Sequence, residues 1–390
     1  MHDGILGGTR ARAAAALAIF GAVLVVSSAV HAEVPVDTAG RATLPTNYGP
    51  HWAWVNDVSF FHMPDGRSYL VDADSGRFLG TLSTGALFMH LNLPRSRPEL
   101  YAATTFYSRL NRGTRTDVIL IFDRANLEPV GEVVIPAKRA TGMPNLAYST
   151  LTDDDQFMAV FNMTPAQSVS IADMVNRKFV EEIAIPGCGM VYPAGTRRVA
   201  SLCGDGTLLT LTLGADGRES ARATSKPFFE AGKDPVTEKA VRLGDLLYFV
   251  SVDGVVHPVD VAGADLRFDP TWSLFTDEDS KASWRVGGMQ NLAVHEQGGR
   301  LYALMHQGGP ETRKDPGTEV WVFDVASRKR ISRITLKGPA TSIQVTPDAE
   351  PLLLTAFLFE QALQVYDARS GSHLRTITQL GESPTIIQAN

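Results

Sequence analysis

Tyr69-Leu70-Val71-Asp72-Ala73-Asp74-Ser75-Gly76-Arg77 is the stretch that decides how this chain folds. An alternating apolar run ends on an aspartate, a turn follows, and a second run begins. Alternation with period two sends one face of a strand into packing. The aspartate takes up turn geometry with its side chain, and Gly76 supplies a positive φ. The phrase returns at Ile119-Leu120-Ile121-Phe122-Asp123, at Val169-Ser170-Ile171-Ala172-Asp173 and at Val256-His257-Pro258-Val259-Asp260. It returns again at Val320-Trp321-Val322-Phe323-Asp324 and at Leu363-Gln364-Val365-Tyr366-Asp367-Ala368-Arg369-Ser370-Gly371. A degenerate copy from Leu209 to Gly217 brings the number to seven.

The spacing supports a true repeat. Asp72 and Asp123 lie 51 residues apart, Asp123 and Asp173 lie 50 apart, and Asp324 and Asp367 lie 43 apart. Propeller blades of four strands run about 40–50 residues. One such sheet cannot bury both of its faces, but a ring of them can. The sequence therefore predicts an all-β, seven-bladed β-propeller over residues 51–390. An irregular sandwich of similar strand count is the competing architecture. The longer interval from Asp260 to Asp324 is expected to hold insertions at 276–288 and 307–317. Trp52 and Trp54, two apart on a strand-like segment, are expected to share one packed face.

Residues 1–32 read differently. Arg10 and Arg12 precede an apolar run, Ala13 to Val26, too short to span a bilayer comfortably. Val30-His31-Ala32 offers small residues at a cleavage point before Glu33, so a removable signal peptide and export are expected. Residues 33–50 then read as an extended arm. Two cysteines, Cys188 and Cys203, are all the chain has, and in an oxidising compartment a disulfide is the expectation.

The net charge of −6 argues against nucleic-acid binding, which needs a basic stripe. It also argues against an anionic membrane surface as partner. No catalytic constellation stands in the sequence: no Gly-x-Ser-x-Gly elbow, no phosphate-cradling loop and no His-Glu-x-x-His. No metal site is expected. His51, His62 and His90 form only a loose grouping. Asp277-Glu278-Asp279 reads as the acidic first turn of a short helix. The segment from Tyr107 to Asp117 carries Tyr107, Arg109, Arg112 and Arg115 just before a strand. It is either a solvated hairpin or a docking surface, since Tyr and Arg are favoured as interface anchors.

Several of these segments resemble the heavy chains of methylamine and aromatic amine dehydrogenases. The resemblance is carried by Thr104 to Asp117, by Asp72 to Arg77, and by Cys188 and Cys203 with Gly204-Asp205-Gly206. Trp272-Ser273-Leu274, Asp277-Glu278-Asp279, Trp284 with Gly287-Gly288, and Trp321 to Asp324 extend it, so that it covers about Trp54 to Gly381. It implies a seven-bladed, non-catalytic heavy subunit in a periplasmic assembly of two heavy and two small, cysteine-rich light chains. The light chain would carry tryptophan tryptophylquinone and oxidise a primary amine to an aldehyde and ammonia. Electrons would pass to a blue copper protein or a cytochrome. The resemblance also implies a substrate-channel residue at Leu87 or Phe88, where the family has an aromatic. The competing functions are a stand-alone propeller binding module and a lactonase-like enzyme.

Overall fold

Six of the repeat aspartates perform one task. The Oδ1 atoms of Asp72, Asp123, Asp173, Asp260, Asp324 and Asp367 each accept a main-chain N–H two or three residues on, at 2.6–3.0 Å. The degenerate copy does the same through Asp216 and the N–H of Arg218, at 3.1 Å. Each turn joins the third strand of a sheet to its outermost strand. Gly76 and Gly371 take φ of 75° and 74° four residues after their aspartates. At the equivalent place Leu127, Arg177 and Arg328 take 57°, 51° and 58° without a glycine. The turn is thus specified chiefly by the aspartate.

The structure, a computed structural model, describes residues 42–58, 63–140 and 142–389. The expected signal peptide, residues 33–41 of the arm, and His62 lie outside the described residues. Residues 42–50 contain no helix or strand.

Seven antiparallel sheets follow in chain order. Blade 2 is typical: Leu91–Asn92, Glu99–Tyr107, Arg115–Asp123 and Pro129–Ile135 run from the innermost strand outward. Blade 3 spans 149–184, blade 4 spans 188–224, blade 5 spans 241–273, blade 6 spans 284–340 and blade 7 spans 342–378. Blade 1 takes Trp52–Asp57, Gly66–Asp72 and Phe78–Gly85 from one end of the chain and its innermost strand, Pro384–Ala389, from the other.

The hydrophobic core is divided as this architecture demands. Among the described residues the buried side chains form seven clusters, each centred on the seam between two neighbouring blades. Trp54, Leu70 and Leu82 of blade 1 meet Leu100 and Val118 of blade 2, for instance. Trp52 packs against this same cluster, so the two tryptophans do share a face.

The insertions fall where the spacing places them. Asp277–Lys281 is a short helix with a full capping box, in which Thr276 and Asp279 satisfy each other's main-chain N–H. The resembling motifs of this region meet at one seam. The Trp284 ring lies 5.1 Å from Trp321, Arg330 stacks 4.2 Å over Trp321, and Arg330 Nη1 donates to Asp279 at 2.7 Å. Their shared role is packing between blades 5 and 6. Gly287-Gly288 interrupts the inner strand of blade 6. A Cβ on Gly288, at φ 96°, would lie 2.7 Å from the main-chain oxygen of Thr341.

The disulfide is formed. Cys188 and Cys203 are direct cross-strand partners in blade 4. Closing a loop of this length stabilises by about 3 kcal/mol in the chain-entropy model. Cys188→Ala with Cys203→Ala is expected to lose roughly that amount, read as a lower urea midpoint with unchanged far-UV circular dichroism.

A histidine ties the ring where its two ends meet. His51 Nδ1 stands 2.8 Å from Asp74 Oδ2 of blade 1, and its Nε2 stands 3.1 Å from Asp348 Oδ1 of blade 7. Nε2 also faces the carbonyl of Glu350, and Arg375 flanks Asp74 at 4.0 Å. Only a doubly protonated ring can donate to both carboxylates. Burial pushes His51 down, but Asp74 and Asp348 outweigh it and the net shift is upward from 6.5. The stabilisation is therefore complete below pH 6.5 and fades as pH rises through the elevated value. His51→Gln is expected to cost stability at mildly acidic pH and to converge on the parent at alkaline pH, in urea titrations across that range.

Candidate docking face and channel residues

Strand direction sorts the connections into two faces. In every blade the second-to-third hairpin and the link to the next blade emerge together. The aspartate turns emerge on the opposite side. Leu87 and Phe88 lie in the link from blade 1 to blade 2. Tyr107, Arg109, Arg112 and Arg115 belong to the second-to-third hairpin of blade 2. Cys188 and Cys203 close the same end of blade 4. All these residues thus share one face.

That face also carries exposed apolar side chains. Phe106, Leu110, Met143, Met163 and Phe359 are each at least 40 % exposed. They come from blades 2, 3 and 7 and from the link between blades 2 and 3. Exposed apolar groups gathered on loops mark interaction sites more often than chance scatter does.

The hairpin is built to project its tip. Tyr107 pairs with Arg115 at the base, and the N–H of Arg109 donates to the carbonyl of Arg112 at 3.0 Å. Leu110 at the tip is 77 % exposed, at φ 65°. Arg109 and Arg112 are exposed and make no ion pair among the described residues. Arg115 differs. Its Nε and Nη2 clasp buried Asp117 at 2.8 and 2.7 Å, and Nη2 also donates to the carbonyl of Arg139 at 3.0 Å. Two of the three hairpin arginines are thus free to meet a partner, and the third anchors the loop.

Leu87 and Phe88 part company. Phe88 is fully buried between blades 1 and 2, with Trp54, Leu70 and Leu91. Leu87 is half-buried, with φ 55°, a left-handed backbone unusual for a residue with a Cβ. Beneath it lies Arg139, only 3 % exposed, which sequence reasoning did not single out. Its Nη2 donates to the carbonyls of Leu87 and Ala86, at 2.6 and 3.1 Å. Burial pulls Arg139 down to about 10 against the opposing pull of Asp117, so it stays charged at neutral pH. Neighbouring His90 is pushed down to about 4, chiefly by burial, and is neutral.

A cavity of about 550 Å³ follows the propeller axis, lined by the inner strands of all seven blades. Its polar lining includes His90, Gln290 and Gln388. Both glutamines act as cross-blade clamps. Gln388 accepts from the N–H of Leu91 and donates to its carbonyl, at 2.9 and 2.7 Å. Gln290 does the same to Ile387, at 2.8 Å each way. Among the described residues no three His, Cys, Asp or Glu gather in position to hold a metal ion. No helix among them is long and apolar enough to cross a membrane.

The described residues define a closed seven-bladed propeller with exposed arginines and apolar side chains on one loop face. Solved structures of low sequence identity share the fold. A functionally unknown protein from Desulfotomaculum acetoxidans superposes with TM-score 0.58 at 13 % identity, covering 87 % of this chain and 98 % of that one. Kuenenia stuttgartiensis hydrazine synthase gives 0.53 at 12 % identity, over 78 % and 90 %. Sequence relatives are more specific. The methylamine dehydrogenase heavy chain of Methylorubrum extorquens is 27 % identical over 326 residues, 83 % of this chain and 78 % of that one. That of Paracoccus versutus is 28 % identical over 325 residues, 82 % and 75 %. The model of the methylamine dehydrogenase heavy chain family matches residues 51–390, and the chain belongs to that family.

Proposed function

We propose that this chain is the non-catalytic heavy subunit of a periplasmic, tryptophan tryptophylquinone-dependent amine dehydrogenase. The family match over residues 51–390 carries the reading. Residues 1–32 direct export and are removed near Ala32. The light chain holds the quinone, which supplies the electron sink for oxidation of a primary amine. A copper protein or cytochrome then takes the electrons, and two heavy and two light chains form the assembly. This chain supplies the scaffold, the channel wall at Leu87, and the docking face. Phe88 supports that wall from within the core.

The five tryptophans of this chain all pack against other rings: Trp52 and Trp54 against Tyr48, Trp272 against Phe323, and Trp284 against Trp321. The reading accordingly assigns the quinone to the light chain. Protein purified from its host is expected to carry a small subunit whose visible absorption bleaches when a primary amine is added. A colourless single chain indifferent to amines would sink the proposal.

The free arginines at the hairpin tip make a separable claim. Arg109→Glu with Arg112→Glu is expected to weaken light-chain association by about tenfold, mostly in the association rate and less at high salt. Stability of the isolated heavy chain should not move. Surface plasmon resonance at two salt concentrations reads this directly.

A further inference from the structure

The geometry points to Arg139 as a positioning residue that fixes where Leu87 stands on the docking face and so sets which primary amines the assembly accepts. This rests on the reading of Leu87 as channel wall.

A left-handed backbone at a leucine is strained, and such strain persists only where the surroundings over-determine it. Leu87 is held from both sides. Its N–H donates to the carbonyl of Met63 at 2.9 Å, and its own carbonyl takes Arg139 Nη2 at 2.6 Å. The residue before it, Ala86, is paired both ways with Thr105 and receives the same Nη2. A buried guanidinium is normally committed to a carboxylate. Here the side chain bonds two successive main-chain carbonyls instead. Its remaining contact, Nε to Thr105 Oγ1 at 3.1 Å, reaches Asp117 only through that hydroxyl. The charge is balanced at one remove, and the donors point at Leu87.

The planar fork of arginine suits this task. It spreads donors at fixed angles and loses little freedom when it bonds. A lysine carries a single ammonium and cannot serve Thr105 and both carbonyls in the same way. Arg139 is itself held by its main chain, whose N–H meets Asp117 Oδ2 at 3.1 Å and whose carbonyl meets Arg115. One run of contacts therefore joins the docking hairpin to Leu87: Arg115, Asp117, Thr105, Arg139.

The test compares Arg139→Lys, Leu87→Gly and the double variant, each assembled with the light chain, over a series of primary amines of increasing size. Arg139→Lys should raise KM several-fold for the preferred amine and alter the size ranking, with kcat held within about twofold. Because Arg139 acts through Leu87, the double variant should match Leu87→Gly alone. Glycine adopts the left-handed region freely, so that variant also guards against simple misfolding. Should Arg139→Lys lower the unfolding midpoint while leaving every KM unchanged, its role is structural and the proposal is overturned. An Arg139→Lys effect of equal size with and without Leu87 overturns it too. If Leu87→Gly shifts no KM, or the parent assembly oxidises no amine, the channel-wall reading fails and takes this proposal with it.

Discussion

A chain ending at Ser383 is expected not to fold. It would lack Pro384–Ala389, the innermost strand of blade 1, although nothing else in the ring would change. That strand pairs with Trp52–Asp57 along its length, Ala53 facing Ala389 and Val55 facing Ile387. Ile386 and Ile387 are both essentially unexposed. Burying each contributes roughly 1.5–3 kcal/mol. The polar loss is comparable. Ile387 would no longer satisfy Gln290, and Gln388 would no longer satisfy Leu91 or receive Asn56 Nδ2 at 2.9 Å. Buried groups left unpaired cost about 1–3 kcal/mol each. The sum exceeds the net stability of an ordinary domain, about 5–15 kcal/mol, or comes close to it. A circular permutant supplies the control. Ala389 and Trp52 lie at the same end of neighbouring antiparallel strands, so a short hairpin loop can join them. New ends opened at Gly187, between blades 3 and 4, would keep all four strands of blade 1. The permutant should unfold cooperatively in urea, whereas the truncated chain should be recovered only as aggregate. A truncated chain with a cooperative transition would show that the closing strand is dispensable.

The blade count was legible because it rests on a local signal. The repeat aspartates act within three residues of themselves, so sequence displays them directly. The insertions and the acidic helix start at Asp277-Glu278-Asp279 are local in the same way. The cysteine pair was legible because only one pairing exists. The ring closure was not, since pairing of Trp52–Asp57 with Pro384–Ala389 joins the two ends of the domain and no short pattern records it. Gln290 and Gln388 look like ordinary polar residues in strands, and only their reach to a neighbouring blade gives them meaning. Arg139 hides for another reason. In Pro136-Ala137-Lys138-Arg139 a basic pair between strands reads as solvated surface, and Lys138 does sit there, paired with Glu182. Its neighbour turns inward because Thr105 and the carbonyls of Ala86 and Leu87 await it. Leu87 and Phe88 are adjacent, and nothing in their order tells which one meets the core.

Asp117→Ala is expected to destabilise the protein by about 3–5 kcal/mol, the usual cost of removing one partner from a buried ionic group. Asp117 is wholly buried and its carboxylate accepts from four donors: Arg115 Nε and Nη2, Thr105 Oγ1 and the N–H of Arg139. Its carboxylate is the only negative charge in this group, which also holds two guanidinium ions. Without it Arg139 stays cationic and buried, and Arg115 loses its clasp. Replacing Arg115 alone should cost less, because Arg115 is partly exposed and Asp117 would keep Thr105 and the Arg139 N–H. The ordering Asp117→Ala worse than Arg115→Ala, measured by urea midpoints, distinguishes a buried network from a surface ion pair. Equal, small losses of under about 1 kcal/mol would mean that the pair behaves as a solvated one. The same variant bears on the docking face. Arg115 anchors the base of the Tyr107–Arg115 hairpin, so its release should lower light-chain affinity even at temperatures where the propeller is still folded. Stability and docking meet at this one carboxylate because the residue that braces the hairpin and the residue that holds Leu87 both depend on it.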